Sequence, residues 1–529
     1  MSKPALRIKS LRVALPNGRV LLDDIDLTLG QGEVAVLLGG SGAGKSTLSR
    51  VLFEREQLER EGFDVKAEHI DYDPDSLGLV PQRGALFDHL SVGGNIELAM
   101  RYRKHVTDTE HTVESWLLQV GLSKSLATAQ VGKLSGGQIQ RVAVARALAN
   151  APKRRLLLLD EPSVGLDPHR VRSLARLLRK QVREMGLSAI VVTHDPAFAA
   201  GVADKLYLLD PQTRKLKHLF ADEWPGPVES DGISDEVRGT WLLRLEETVD
   251  RAIEQAPAPS EAAAPASASM LGAGLIRRAK TQLAPFSAAG HALQALPSQA
   301  FRHTRDFLSV MGRILVQAAL RPALFYGIVS VLIGFTLLFV ISKVGGAGVR
   351  TSALLQQIGG SYAVALAPPL SALLFVAASG SASNAWLGSM ELTKQTAALE
   401  ALGIRKTHYL WAPTWLGLAL CYALVAAMVT VGMLFGGWLL CQQQGVVGAW
   451  DLLIGDIVDP RPERSVYVAR AAFLLWFYAW GIASNVLAMG SSHKRSSDDV
   501  TRSMTGSVVS ATLWVVALEL GSVLWIFGG

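Results

Sequence analysis

Cysteine is almost absent: two residues in 529, Cys421 and Cys441. They lie near opposite ends of one apolar segment, about 30 Å apart if that segment is helical at ~1.5 Å per residue, so they cannot pair within it. No disulfide framework is on offer, and small apolar packing is the role expected of them. Nor does the chain interleave aromatic and basic residues in the way that stacks and neutralises single-stranded nucleic acid, so no nucleic-acid partner is expected. Met1–Ser10 lacks the apolar core of a secretion signal, which predicts a first domain on the cytoplasmic side. Leu11–Val20 contains no aromatic residue.

What the chain has in excess is apolar length. Hydrophobic residues make up 49%, mean hydropathy is +0.26 and net charge is +6. A chain this long exceeds one hydrophobic core and predicts several domains. Much of the apolar excess falls after Arg321, and basic residues flank several of the apolar runs, a balance that suits an anionic membrane surface.

The first half is organised around Gly39-Gly40-Ser41-Gly42-Ala43-Gly44-Lys45-Ser46-Thr47, which follows the apolar run Val34–Leu38. A strand, a glycine-rich loop and a Lys-Ser helix start form a phosphate-binding loop. Backbone N–H groups of the loop close on phosphate oxygens, Lys45 adds charge at the β/γ-phosphates, and Ser46 is a ligand for Mg²⁺. Upstream, alternating apolar residues around Pro16-Asn17-Gly18 predict a hairpin over Arg7–Leu29. Downstream, a short strand Leu77–Val80 precedes Gln82, and Leu134-Ser135-Gly136-Gly137-Gln138 opens a helix-prone stretch through Ala149. Leu156–Leu159 predicts a strand buried on both faces, carrying Asp160 and Glu161 at its end, and the apolar Ile190–Val192 leads to His194.

This succession resembles the ATP-binding cassette (ABC) family, whose signature is the LSGGQ string at Leu134–Gln138. The resemblance covers roughly Ala5–Phe220 and implies an α/β P-loop ABC ATPase domain with ATP and Mg²⁺ as cofactors. It implies that Glu161 polarises the attacking water, that His194 is the switch residue at the γ-phosphate, and that Gln82 is the Q-loop residue. Mg²⁺ is expected at Ser46, Gln82 and Asp160. The resemblance further implies that Ser135, Gly136, Gly137 and Gln138 meet the nucleotide of a second cassette, with Asp167 in a D-loop at that interface, so the working unit is expected to be a homodimer.

Residues 221–300 change character. Gly239–Gln255 predicts a helix of mixed charge, either a spacer or a docking helix, and Ala256–Ser269 is an Ala/Pro/Ser-rich tether. Residues 301–529 then predict an all-α polytopic membrane domain. An amphipathic, Arg-flanked helix spans Phe301–Leu320. Five apolar spans follow at about Ala323–Ile341, Ser361–Ala382, Trp411–Leu440, Ala471–Met489 and Val508–Ile526. Lys394, Arg405, Lys406, Lys494, Arg495 and Arg502 fall in the second and fourth connections, whereas Asp451, Asp456 and Asp459 fall in the third beside Arg461 and Arg464. The positive-inside rule then predicts a multi-pass membrane protein with its ATPase domain in the cytoplasm. Glu519 sits inside the last span, where a carboxylate is costly; it is neutral, paired within the bundle, near the outer interface, or part of a transport path.

Leu387–Gly403, after the second span, resembles the cytoplasmic coupling segment of permeases in the Mla (maintenance of lipid asymmetry) family, with L-G-x-M followed by T-x-Q and an A-L-x-x-x-G ending. Read as one helix, it sets Leu392, Leu399 and Leu402 near one face. It departs from the family pattern at Trp386, Lys394 and Ala397. Asp498–Arg502 continues the match weakly, and the resemblance covers roughly Phe301–Gly529. It implies an ATP-driven transporter of phospholipid or a related lipid in the bacterial inner membrane, with membrane lipid as cargo and a separate MCE-domain periplasmic partner. Transport of another amphipathic or small solute, or non-transporting envelope regulation, are the competing readings.

Overall fold

The structure is a computed structural model that describes residues 3–40, 42–73, 77–82, 84–102, 111–150, 156–164, 166–221, 223–227, 235–254, 287, 289–295, 304–344, 351–458, 462–494 and 496–527. The chain divides into two compact units, one made of Met1–Ala268 with Thr393–Ile404, the other of Ser269–Leu392 with Arg405–Gly529.

In the first unit, β1 (Leu6–Ala14) and β2 (Val20–Leu29) form the expected antiparallel hairpin, and β4 (Asp64–Lys66) and β5 (His69–Asp71) pair with β1 to complete a small sheet. The main sheet runs β10 (Leu216–Leu219), β9 (Lys205–Leu209), β3 (Val34–Leu38), β8 (Ser188–Val192), β7 (Leu156–Asp160), β6 (Leu77–Val80). It is parallel except for the β10–β9 pair. β3, β7 and β8 are buried along their whole lengths, as continuous Val/Ile/Leu runs in a parallel sheet covered on both faces should be.

Five helices of this unit matter below: α1 (Lys45–Phe53), α2 (Val92–Arg101), α3 (Gly136–Asn150), α4 (Pro168–Met185) and α5 (Asp235–Glu254). α5 is the helix expected beyond residue 220. It docks rather than standing free: Trp241 meets Phe220 and Trp224 edge-on at 5.4 Å each, and Leu245 and Val249 are buried. The tether Ala256–Ser269 and residues Phe301–His303 lie outside the described residues. The short helix Gln395–Ala401 belongs to this unit, preceded by Lys394 in a left-handed conformation at φ 58°. The single helix expected over Leu387–Gly403 is therefore two, because a left-handed residue cannot continue a right-handed helix.

The second unit contains α6 (Thr304–Leu315), α7 (Ala323–Val344), α8 (Ser361–Phe375), α9 (Ser381–Leu392), α10 (Ala412–Gln443), α11 (Pro462–Gly490) and α12 (Ser497–Phe527). π-helical turns at Val316–Leu320 and Val376–Gly380 carry α6 toward α7 and join α8 to α9. Among the described residues, five helical stretches are long and apolar enough to cross a membrane, from Thr304–Val344 to Ser497–Trp525.

Hydrocarbon does not drive apolar helices together, so close packing and buried polar contacts must hold them. α7 and α10 touch backbone to backbone. A Cβ on Gly334 would lie 2.0 Å from the Met433 carbonyl oxygen, and one on Gly436 would lie 2.0 Å from that of Val331. Tyr326 Oη and Ser379 Oγ are hydrogen-bonded at 2.6 Å, Tyr362 Oη donates to the Met433 carbonyl at 3.1 Å, and Ser503 Oγ donates to Asn384 Oδ1 at 2.9 Å. Gly436→Leu should cost ~3 kcal/mol or more, because the obstacle is backbone that no rotamer change clears. The measurement is the unfolding midpoint and monodispersity of the detergent-purified chain. Gly327→Ala, whose Cβ would meet nothing within 4 Å, should lower neither, whereas Gly436→Ala should already lower both.

Candidate active site

β3 delivers the chain into the phosphate loop, and α1 begins at Lys45. Gly44 takes φ 111°, and a Cβ there would lie 2.9 Å from Leu22 Cδ2 and 3.1 Å from the Leu21 carbonyl, so this turn needs glycine on conformational and steric grounds. Lys45 Nζ donates to the carbonyl oxygens of Gly39 and Gly40, the latter at 3.2 Å. Burial pushes the Lys45 ammonium below its usual pKa, while the carboxylates of Glu161 and Asp160 pull it back up.

A cavity of ≈ 550 Å³ lies over this loop, large enough for a nucleotide's phosphates and ribose. Gly40, Gly42, Ala43, Gly44, Lys45, Ser46 and Thr47 line it, together with Gln82 from beyond β6, Asp160 and Glu161 from the end of β7, and His194 from beyond β8. Ser41 lies outside the described residues. The parallel sheet explains the convergence: β3, β7, β8 and β6 all end on the same edge, so residues far apart in sequence share one rim.

Glu161 is 8% exposed and sits at φ 51°, a left-handed conformation that costs a non-glycine residue ~1–2 kcal/mol. Its N–H donates to the Val192 carbonyl at 2.8 Å, tying the β7 end to the β8 end. That bond holds the carboxylate over the cavity, with Oε2 2.7 Å from Nδ1 of His194. Strain held in place by neighbouring structure at a cavity wall is the pattern of a functional residue.

Ser135, Gly136, Gly137, Gln138 and Asp167 are not among the residues that line this cavity. The Ser135 N–H donates to Gln138 Oε1 at 2.9 Å and the Gln138 N–H returns to Ser135 Oγ at 3.4 Å, a capping box that starts α3. Ser135 and Gly136 are exposed. Gly137 is buried where a Cβ would lie 2.6 Å from Leu166 Cδ2. Asp167 caps α4 by accepting the Arg170 N–H at 3.0 Å, and this bond lowers its pKa.

The sequence reading missed Arg146 on α3. Its guanidinium is 1% exposed, donates from Nη1 to the Ala85 carbonyl at 2.7 Å and from Nη2 to the Gly84 carbonyl at 3.1 Å, and lies 5.0 Å from the centre of the Phe87 ring. The helix that begins at the signature string thus grips the segment directly after Gln82. An arginine in an otherwise apolar Val142–Ala149 stretch was the available signal. Burial lowers its pKa to about 10, so it stays cationic at neutral pH. Within the same unit, Asn150 Nδ2 donates to the Leu402 carbonyl at 3.1 Å, and Lys394 Nζ lies 3.2 Å from Asp160 Oδ2.

A family model described as ABC transporter matches residues 22–164, and one described as permease MlaE matches residues 311–524. A glutamine transport ATP-binding protein of Geobacillus stearothermophilus is 38% identical over 213 residues, covering 39% of this chain and 86% of that protein. An Fe(3+) ions import ATP-binding protein of Haemophilus influenzae is 36% identical over 216 residues, 40% of this chain and 60% of that protein. A solved structure of the ATP-binding cassette MJ0796 bound to ADP and Pi shares 25% identity over 40% of this chain and 98% of that one, with a TM-score of 0.33. The chain belongs to the ABC transporter family. It is an ATPase carrying an MlaE-like permease on the same polypeptide, a multi-pass membrane protein.

Arg146→Ala removes two charge-assisted bonds and strands two buried carbonyls, so it should destabilise the cassette by about 3 kcal/mol or more. The unfolding midpoint of the full chain measures this. Arg146→Lys keeps the charge but not the two-pronged geometry and should recover less than half of the loss.

Proposed function

We propose that this chain is a half-transporter, with cassette 1–220, connector 221–300 and permease 301–529, that moves phospholipid or a related lipid across or out of the bacterial inner membrane. Two copies work together, each signature string completing the other's ATP site, with the cassettes on the cytoplasmic side. The observation that carries the lipid reading is the permease MlaE match over residues 311–524, on the same chain as a cavity ringed by phosphate loop, carboxylates and histidine. An MCE-domain protein is the separate partner this reading calls for.

ATP enters over the phosphate loop; its phosphates take the loop N–H groups and Lys45. Ser46, Gln82 and Asp160 would hold Mg²⁺, since a hydroxyl, an amide oxygen and a carboxylate are the hard oxygen donors that ion takes. Bound there, it would neutralise charge on the phosphates. Glu161 takes a proton from the attacking water, and His194 holds that carboxylate and reaches the γ-phosphate. Signature and D-loop residues would close on the nucleotide from the second copy. ATP's preference for the closed pair biases the population, and the Thr393–Ile404 segment passes that bias to the permease.

Glu161→Gln should lower hydrolysis by roughly 10²–10⁴-fold with ATP binding retained, and Lys45→Ala should abolish turnover. Normal turnover in either purified variant overturns these roles. Lys394, half-exposed, pairs with buried Asp160. Solvent at the lysine limits the pair to about 1 kcal/mol, so Lys394→Ala should tighten divalent-ion binding by about two- to fivefold. Electron paramagnetic resonance titration with Mn²⁺ and ATP reads this without turnover. Mass spectrometry of co-purifying lipids, followed by flux into vesicles, tests the cargo. Phospholipid enrichment and flux support lipid handling, whereas hydrolysis without flux would favour a regulator and flux of another solute would reassign the cargo.

A further inference from the structure

A cavity of ≈ 560 Å³ lies between α11 and α12 in the second unit. Its walls are largely apolar, with Phe473, Leu518 and Trp525 among them, and its polar lining includes Arg470 and Ser522. Phe473 is 53% and Trp525 77% exposed, so the cavity opens sideways rather than being sealed in the bundle. Arg470, by contrast, is 8% exposed. An ionised group at that depth in an apolar helix is costly and needs partners or a task.

Its partners are identifiable. Nε donates to Ser522 Oγ at 3.0 Å, Nη2 donates to Glu519, and Nη1 donates to the Ala365 carbonyl at 3.3 Å. Ala365 lies four residues before Pro369 in α8; a proline has no N–H, so this carbonyl has no helical donor and is open to the guanidinium. Glu519 also accepts from Tyr478 Oη at 2.7 Å, which fixes the carboxylate behind the arginine. Neither Glu519 nor Tyr478 lines the cavity, whereas Arg470 does. The charge presented to the space is therefore positive. A guanidinium carries five N–H groups, and the three contacts above use three of them, leaving one on each Nη nitrogen.

The position suits an amphiphile. α11 and α12 follow one another in the chain, and Arg470 and Ser522 lie in the halves of these helices away from that connection. That is near the first residue of the apolar stretch Val468–Gly490 and the last of Ser497–Trp525. A head group held by Arg470 would sit near the membrane edge beside Trp525, while its chain lay inward along Phe473 and Leu518.

We propose that this cavity binds an acyl-chain amphiphile with an anionic phosphate or carboxylate head, received by Arg470, with Glu519 as the internal counter-charge that the head group displaces or shares. The inference rests on the lipid reading above and specifies where in the chain the lipid is held. Both charges have a place in it: Arg470 selects the anion, and Glu519 keeps the arginine compensated when no ligand is held.

The test uses the full chain in nanodiscs with three photo-reactive probes: oleate, phosphatidylglycerol and uncharged diacylglycerol. Peptides labelled around Phe473 and Trp525 are quantified by mass spectrometry. Labelling by an anionic probe is expected, and Arg470→Gln should lower it by about tenfold or more, the loss of charge-assisted hydrogen bonds worth ~1.5–3 kcal/mol, with diacylglycerol labelling unchanged. Glu519→Gln should raise it. The double variant Arg470→Gln with Glu519→Gln carries no uncompensated buried charge, so its folding does not depend on that pair, and it should lose anionic labelling as well. Oleate labelling without phosphatidylglycerol labelling identifies a single-chain carboxylate ligand; the reverse identifies a phospholipid. Unchanged anionic labelling in the double variant, equal labelling by all three probes, or cross-links from these residues to a second copy of the chain would overturn the proposal. Absence of anionic labelling in the unaltered chain when that chain moves lipid overturns the site alone, whereas Arg470-dependent labelling in a chain that moves no lipid overturns the transport reading and leaves the site standing.

Discussion

Three strands without a wet face set the conditions for everything in the first unit. β3, β7 and β8 are buried from end to end, so the polar residues that follow them can emerge only at the carboxyl edge of the sheet. The phosphate loop, Asp160 with Glu161, and His194 are what emerges there, and a shift of one strand by one residue would turn its side chains to the opposite face. The bond between the Glu161 N–H and the Val192 carbonyl fixes the relative position of two of these ends and holds Glu161 in a conformation it would not adopt alone. Precision at the cavity is thus a property of the buried sheet.

The membrane-spanning unit meets the opposite problem. Its helices are apolar all round, so burial alone does not choose their partners. Selection comes from local exceptions to apolarity and bulk: glycines that bring α7 and α10 into backbone contact, hydroxyls that reach a neighbouring carbonyl, and the Arg470, Glu519 and Tyr478 group. Pro368 and Pro369 in α8 fit the same logic, since each frees a carbonyl that must be met from elsewhere, and Ala365 is met by Arg470. Trp415 Nε1 donates to Ser484 Oγ at 3.0 Å, a further direct contact across helices.

Two further contacts are made within the first unit by a single helix. Arg146 ties the helix that starts at the signature string to the backbone just beyond Gln82, and Asn150 on the same helix bonds the Leu402 carbonyl. One rigid helix therefore touches the signature string, the segment beside the cavity and the Thr393–Ile404 segment. These contacts are hydrogen bonds rather than mere spatial proximity.

Much of this was legible from residue order alone. A phosphate loop is read from its spacing because the chemistry is carried by backbone N–H groups of a local turn, and the strands at Val34–Leu38, Leu156–Leu159 and Ile190–Val192 are read from unbroken apolar runs because burial on both faces admits nothing else. The five membrane-crossing stretches follow from composition for the same reason. What the sequence could not decide depends on contacts between residues far apart in the chain. The role of Arg146 required the carbonyls of Gly84 and Ala85, the break at Lys394 required a backbone dihedral, and the choice among the readings of Glu519 required Arg470, 49 residues away. Local periodicity and short-range turns determine which elements form. Only packing decides which polar group meets which, because that pairing is set by three-dimensional neighbours that no window of sequence contains.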